Sequence, residues 1–121
     1  MKILNEFLKK RLITKYIFEL TPALRNGYGL QEQYTVPQIE NTAKKCKLSM
    51  RYIPYAIALY RHEETYRTIK LYRINQSFLD ILRKEISDWF FDGDQYRIRN
   101  VVDLSKSKTW KGGTCSAERT G

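Results

Sequence analysis

Leu48 to Arg61 reads LSMRYIPYAIALYR. From Tyr52 to Tyr60 every position is apolar, aromatic or proline, so no face of the stretch reads as solvated. A helix that is apolar all round is one its neighbours enclose. The segment is far too short to cross a bilayer, which takes about 20 residues. It therefore predicts the buried central helix (52–60) of a compact, mainly α-helical domain, with the other elements gathered around it.

The rest of the composition agrees with a folded protein. At 121 residues the chain suits one domain, large enough to bury a core without staples. Nine tyrosines against five phenylalanines put many ring hydroxyls at a core rim or in a contact surface. The net charge of +9, from 22 basic and 13 acidic residues, is an argument about partners: acidic proteins, nucleic acid or an anionic surface. Two cysteines, Cys46 and Cys115, make neither a disulfide framework nor a zinc site. Cys46 falls on the apolar side of a predicted helix, and Cys115 is expected as an exposed free thiol. Lys9, Lys10 and Arg11 interrupt the apolar start MKILNEFLKKRLI, so it is no signal peptide, and a cytoplasmic location is the expectation.

Ile3, Leu4, Phe7 and Leu8 sit at helical spacing, as do Leu12, Ile13, Tyr16, Ile17 and Leu20. The centres of the two stripes differ by roughly 150° around a helix. Either the chain breaks near Lys9 to Arg11, or the first turns pack against something else, such as a second subunit of a homodimer. Thr21-Pro22 reads as an N-cap and first helical residue, ending near Arg25 before Asn26-Gly27. Thr35 starts the next helix, with Pro37 in its first turn and Ile39, Ala43 and Cys46 as the buried stripe. The most strongly patterned helix runs over 77–91, capped by Ser77 with Asp80, lined by Leu79, Leu82, Ile86, Trp89 and Phe90, and stopped by Gly93. The segments 66–74 and 96–104 are rich in strand formers. As strands they would pair in parallel, with helix 77–91 as the crossover; a lone two-stranded sheet is marginal, which favours helix. The domain is thus expected over 1–104, with 105–121 a basic, disordered tail on which Trp110 is the one sizeable apolar group.

A search for catalytic chemistry returns little. His62 stands in RHEET, but HExxH would need a second histidine where Tyr66 stands. Gly27-Tyr28-Gly29 lacks the third glycine of a dinucleotide loop. Asp92, Asp94 and Asp103 span the length of a calcium loop, yet Tyr96 and Arg97 occupy positions five and six, where a ligand and a glycine belong. No catalytic residue, cofactor or metal is expected, and the protein reads as non-enzymatic.

The stretch QIENTAKKCKLSMRYIPYAIAL (38–59) resembles the helix-turn-helix unit of bacterial DNA-binding proteins. The resemblance implies a second helix capped by Ser49, with Met50, Arg51 and Tyr52 toward the major groove and Lys44, Lys45 and Lys47 near phosphates. Lys47 stands where that family has a turn glycine, and Thr42 where it has an aliphatic residue. With Ser49 as cap, Pro54 would remove a helical hydrogen bond at a cost of about 3 kcal/mol. A helix starting at Ile53 avoids that cost and leaves 49–52 as a linker. YGLQEQYT (28–35), YIPYAIALY (52–60) and LRKEISDWFF (82–91) also resemble small uncharacterised bacterial proteins carried on mobile gene cassettes, which implies no activity. The expectation is a small binding or adaptor protein with an acidic protein partner, or with itself as partner through Ile3, Leu4, Phe7 and Leu8. Nucleic-acid binding through Lys44, Lys45, Lys47, Arg51 and Tyr52 is the alternative; no membrane contact is expected.

Overall fold

The structure, a computed structural model, describes residues 2–107, with side chains from residue 6 onward. The chain opens with α1 (Lys2–Lys15), widens into a π-helical turn (Tyr16–Leu20) and continues directly into α2 (Thr21–Tyr28). The break expected near Lys9 to Arg11 is absent, and Thr21 is no N-cap: it lies inside the helical run and is fully buried. Pro22 accounts for the wide turn. It has no N–H to donate, and its ring crowds the carbonyl four residues back, so a regular α turn cannot pass through it. Asn26 and Gly27 stay helical; the stop is Gly29, whose φ of 78° is left-handed backbone that glycine adopts without penalty.

Thr35 caps α3 (Val36–Lys45), its hydroxyl accepting from Gln38 N–H at 3.1 Å while the Gln38 side chain accepts from Thr35 N–H at 2.9 Å. Ile39, Thr42 and Ala43 face inward. The helix ends in a Schellman motif: Leu48 N–H bonds the Ala43 carbonyl and Lys47 N–H the Lys44 carbonyl, each at 3.0 Å. Lys47 takes the left-handed position with φ 58°, and Leu48 supplies the accompanying buried contact.

The mid-chain helix is α4 (Ile53–Tyr60), and it starts with Pro54 in its first turn. Ile53, Ala56, Ile57, Ala58, Leu59 and Tyr60 are all buried, while Pro54 and Tyr55 are half-buried at its entry. Its C-terminal carbonyls are capped from another element. Arg83 Nη1 donates to the Ala58 carbonyl at 2.8 Å and the Arg61 carbonyl at 3.1 Å, and Nη2 donates to the Tyr96 carbonyl. A cation at a helix C-terminus also opposes the negative end of the helix dipole. Its guanidinium lies 4.0 Å from the Tyr96 ring centroid, and Tyr96 Oη donates to the Ala58 carbonyl at 2.8 Å.

The doubtful segments are helices: α5 (Tyr66–Tyr72) and α7 (Ile98–Ser105), separated by α6 (Gln76–Phe90). Among the described residues there is no strand, so the pairing of 66–74 with 96–104 does not form. Local capping overrides the strand-forming side chains of α5. Thr65 and Thr68 make a reciprocal box at its start, and Arg73, at φ 56°, closes it after barely two turns. In α7 the Asn100 side chain accepts from Arg97 N–H at 2.9 Å, and Ile98, Val101 and Val102 turn inward at helical spacing. The cap of α6 is Asn75, accepting from Phe78 N–H at 2.8 Å, not Ser77. Leu79, Leu82 and Ile86 are buried as expected, whereas Trp89 and Phe90 are half-buried. Helix α4 packs against α6, α3 and α7, while α2 and α7 close over the π turn. Cys46 lies partly buried against this core, and among the described residues no cysteine is free; Cys115 and Trp110 fall outside them.

Candidate functional site

The richest polar and aromatic cluster joins α1 to the start of α4 and the end of α6. Lys9 on α1 donates to Tyr55 Oη and to Glu85 Oε2, each at 3.1 Å, and Tyr55 Oη donates to Glu85 Oε1 at 2.5 Å. Burial lowers the Lys9 ammonium pKa, but its bonds to Tyr55 and Glu85 outweigh that and hold it above its usual value. Burial, reinforced by the Glu85 carboxylate, pushes the Tyr55 phenol up. The Lys9 ammonium also lies 5.1 Å from the Tyr55 ring centroid and 5.7 Å from that of Trp89. Lys10 approaches the Phe90 ring at 5.9 Å. On the other side Tyr55 meets Tyr52 edge to face at 6.2 Å, and Arg51 stands 5.5 Å from the Tyr52 ring. Tyr16 Oη ties the π turn to the connection between α3 and α4 by donating to the Ser49 carbonyl; burial pushes its phenol up to about 12.

Two groups of residues singled out by the sequence border this cluster along the chain, Phe7 and Leu8 before Lys9, and Arg51 and Tyr52 before Tyr55. Phe7 and Leu8 lie on α1 just ahead of Lys9 and are 60% and 41% exposed. Ile3 and Leu4 are helical by backbone, and their side chains lie outside the described residues. Arg51 is exposed and Tyr52 half-buried, in the connection between α3 and α4. Lys44 and Lys45 are exposed on the last turn of α3, and Lys47 is exposed in the Schellman turn. Residues 50–52 do not open a recognition helix. The helix begins at Ile53, as the cost of Pro54 deeper in a helix requires, and it is buried from Ala56 to Tyr60.

The side chains that sequence reading missed are Glu85 and Tyr55 as partners of Lys9. They are 76 and 46 residues distant from it in the chain, and no local pattern marks such a pairing. The same holds for Glu40. It is buried on α3, accepts from Arg67 Nε at 3.0 Å and from Tyr72 Oη, and so pins α5 to α3. Among the described residues no helix is long and apolar enough to cross a membrane. None of them forms a group of three or more His, Cys, Asp or Glu that could hold a metal ion.

The architecture is thus an all-helical domain whose most elaborate surface is an aromatic and cationic cluster flanked by exposed apolar side chains. A protein family of unknown function, DUF6559, matches residues 4–121, and the chain belongs to that family. Comparison with curated proteins and with solved structures gives no match.

Proposed function

We propose that the protein is a small non-enzymatic binding or adaptor protein that docks an acidic protein surface on the face built from α1, the 49–52 connection and the end of α6. The observation that carries this reading is the exposure of Phe7 and Leu8 on α1, the helix whose Lys9 and Lys10 reach the rings of Trp89 and Phe90, with Lys10, Arg11 and Arg51 also exposed. Aromatic and arginine side chains grouped with exposed apolar ones are the composition of a binding hot spot. A net charge of +9 favours an acidic partner and speeds its encounter. The test is fluorescence anisotropy with an amphipathic peptide of alternating glutamate and leucine turns. Binding should weaken with salt and fall at least about tenfold in Phe7→Asp, the equivalent of about 1.4 kcal/mol. No binding at low salt would sink the proposal.

A second reading, association of two copies through Phe7 and Leu8, draws on the same exposure. It predicts a concentration-dependent dimer in sedimentation velocity that Phe7→Asp abolishes. Nucleic-acid contact through Lys44, Lys45, Lys47 and Arg51 has the exposed charge it needs, but no helix beside it is free to enter a groove; retention on random duplex DNA at low salt would revive it.

A further inference from the structure

His62, the sole histidine of the chain, stands where two clefts meet. One, of about 410 Å³, lies between α6 and the segment 93–97; the other, of about 450 Å³, lies between residues 30–32 and 97–99. His62 and Arg97 line both. The His62 backbone is held from two sides, its N–H donating to Gln33 Oε1 and its carbonyl accepting from Gln76 Nε2, each at 2.9 Å. The imidazole itself is half-buried and makes no hydrogen bond to a described residue.

The charges around it differ in how far they are already used. Lys84 is paired with Asp88 at 2.8 Å. Asp80 accepts from Gln76 at 3.0 Å, and Glu63 accepts from Gln33 at 2.9 Å. Arg83 is spent on the carbonyls that end α4. Arg97 and Arg99 are exposed and pair with no carboxylate among the described residues, while Asp94 and Glu32 lie on the walls without a cation partner. A guanidinium with free donors beside a half-buried imidazole is a receptor for one oxyanion. The wall carboxylates would repel a polyanion and accept from hydroxyl or amino groups.

We propose that the seam between the two clefts binds a small organic oxyanion bearing hydroxyl or amino groups, its carboxylate or phosphate held by Arg97 and His62 and its body lying along Leu30 and Ile98. The site stands apart from the α1 face and does not depend on it. Binding there is coupled to a proton. Burial, together with Arg97, Arg83 and Arg61, holds the imidazole pKa below its usual value, Glu63 opposing them. A bound oxyanion offsets those guanidinium charges, so the imidazole takes up a proton more readily and the anion binds more tightly as pH falls.

The lone imidazole gives the test its readout. The ring resonances of the full chain would be titrated with pH, alone and with inorganic phosphate, glucose 6-phosphate, gluconate or a single-stranded oligonucleotide. Glucose 6-phosphate or gluconate should move the resonances saturably and raise the midpoint by about half a pH unit or more; which of the two acts separates phosphate from carboxylate. Arg97→Gln, an exposed side chain whose loss leaves the α7 cap intact, should abolish the response, and Phe7→Asp should leave it unchanged. Unmoved resonances up to about ten times a millimolar dissociation constant would overturn the proposal. So would an equal response in Arg97→Gln, or a response to the oligonucleotide or inorganic phosphate alone.

Discussion

Tyr60 Oη lies 2.8 Å from Thr21 Oγ1 and donates to the Tyr16 carbonyl at 3.1 Å. The central helix is thereby fastened to both ends of the π turn. Tyr60 and Thr21 are fully buried, so the π turn's re-aimed carbonyl and the threonine hydroxyl find their partner in one phenol where no water reaches. Tyr60→Phe keeps the ring and removes that partner. It should cost about 1–3 kcal/mol, because buried polar groups are left unpaired. Urea unfolding measures this, and the cost should not add to that of Thr21→Val. A loss below about 0.5 kcal/mol would show that the hydroxyl does not matter to the turn.

Glu40 holds α5 in place. Tyr66, Ile69 and Leu71 of that helix are exposed, with Thr68 and the following Ile74 turned inward, so α5 has little apolar anchorage of its own. Glu40→Gln should cost about 1–2 kcal/mol, less than the cost of breaking a fully buried pair because Arg67 is 46% exposed. Hydrogen exchange is the sharper measurement. Amides of 66–73 should exchange faster while those of α4 and α6 do not; uniform acceleration would mean that the carboxylate serves the whole fold.

Lys47 adopts left-handed backbone at the end of α3, a conformation that penalises any side chain with a Cβ. Lys47→Gly should stabilise the protein by about 0.5–1 kcal/mol, seen as a higher urea midpoint with unchanged slope. A lower midpoint would show that the lysine makes a compensating contact.

Alkaline pH should unfold the protein. Burial raises the phenol pKa of Tyr16 to about 12 and that of Tyr72 to about 12, the latter with help from Glu40; Tyr60 and Tyr96 are raised further by burial. Lys9 is raised by its bonds to Tyr55 and Glu85, against the lowering effect of burial. In each case the folded state binds its proton more tightly than the unfolded chain. The stabilisation is therefore complete below pH 10 and lost as pH climbs toward 12 and beyond. Tyrosinate absorbance should rise in two stages, the exposed rings first and the buried ones together with loss of helical circular dichroism. A single stage near pH 10 with structure retained would contradict the burial described above.

Helical spacing already marked the enclosed helix 52–60, the inward faces of the helices at 35–46 and 77–91, and the cap at Thr35. Each rests on side chains within one or two turns of each other, where periodicity and capping act directly. The strand-like content of 66–74 left strand open beside the favoured helix for the opposite reason: its helix is decided by the Thr65–Thr68 box and by Glu40 reaching across from α3. Pro22 was visible, but its reading as a helix start failed because the buried Thr21–Tyr60 contact keeps the chain helical through a π turn.

From its sequence alone the chain settles that it folds around an apolar helix and carries excess positive charge, since burial pattern and charge are properties of residues taken in order. Only the tertiary structure brings Lys9 to Tyr55 and Glu85, and sets His62 between two clefts. Those contacts join residues dozens of positions apart, and the packing of helices, not local spacing, determines which distant side chains meet.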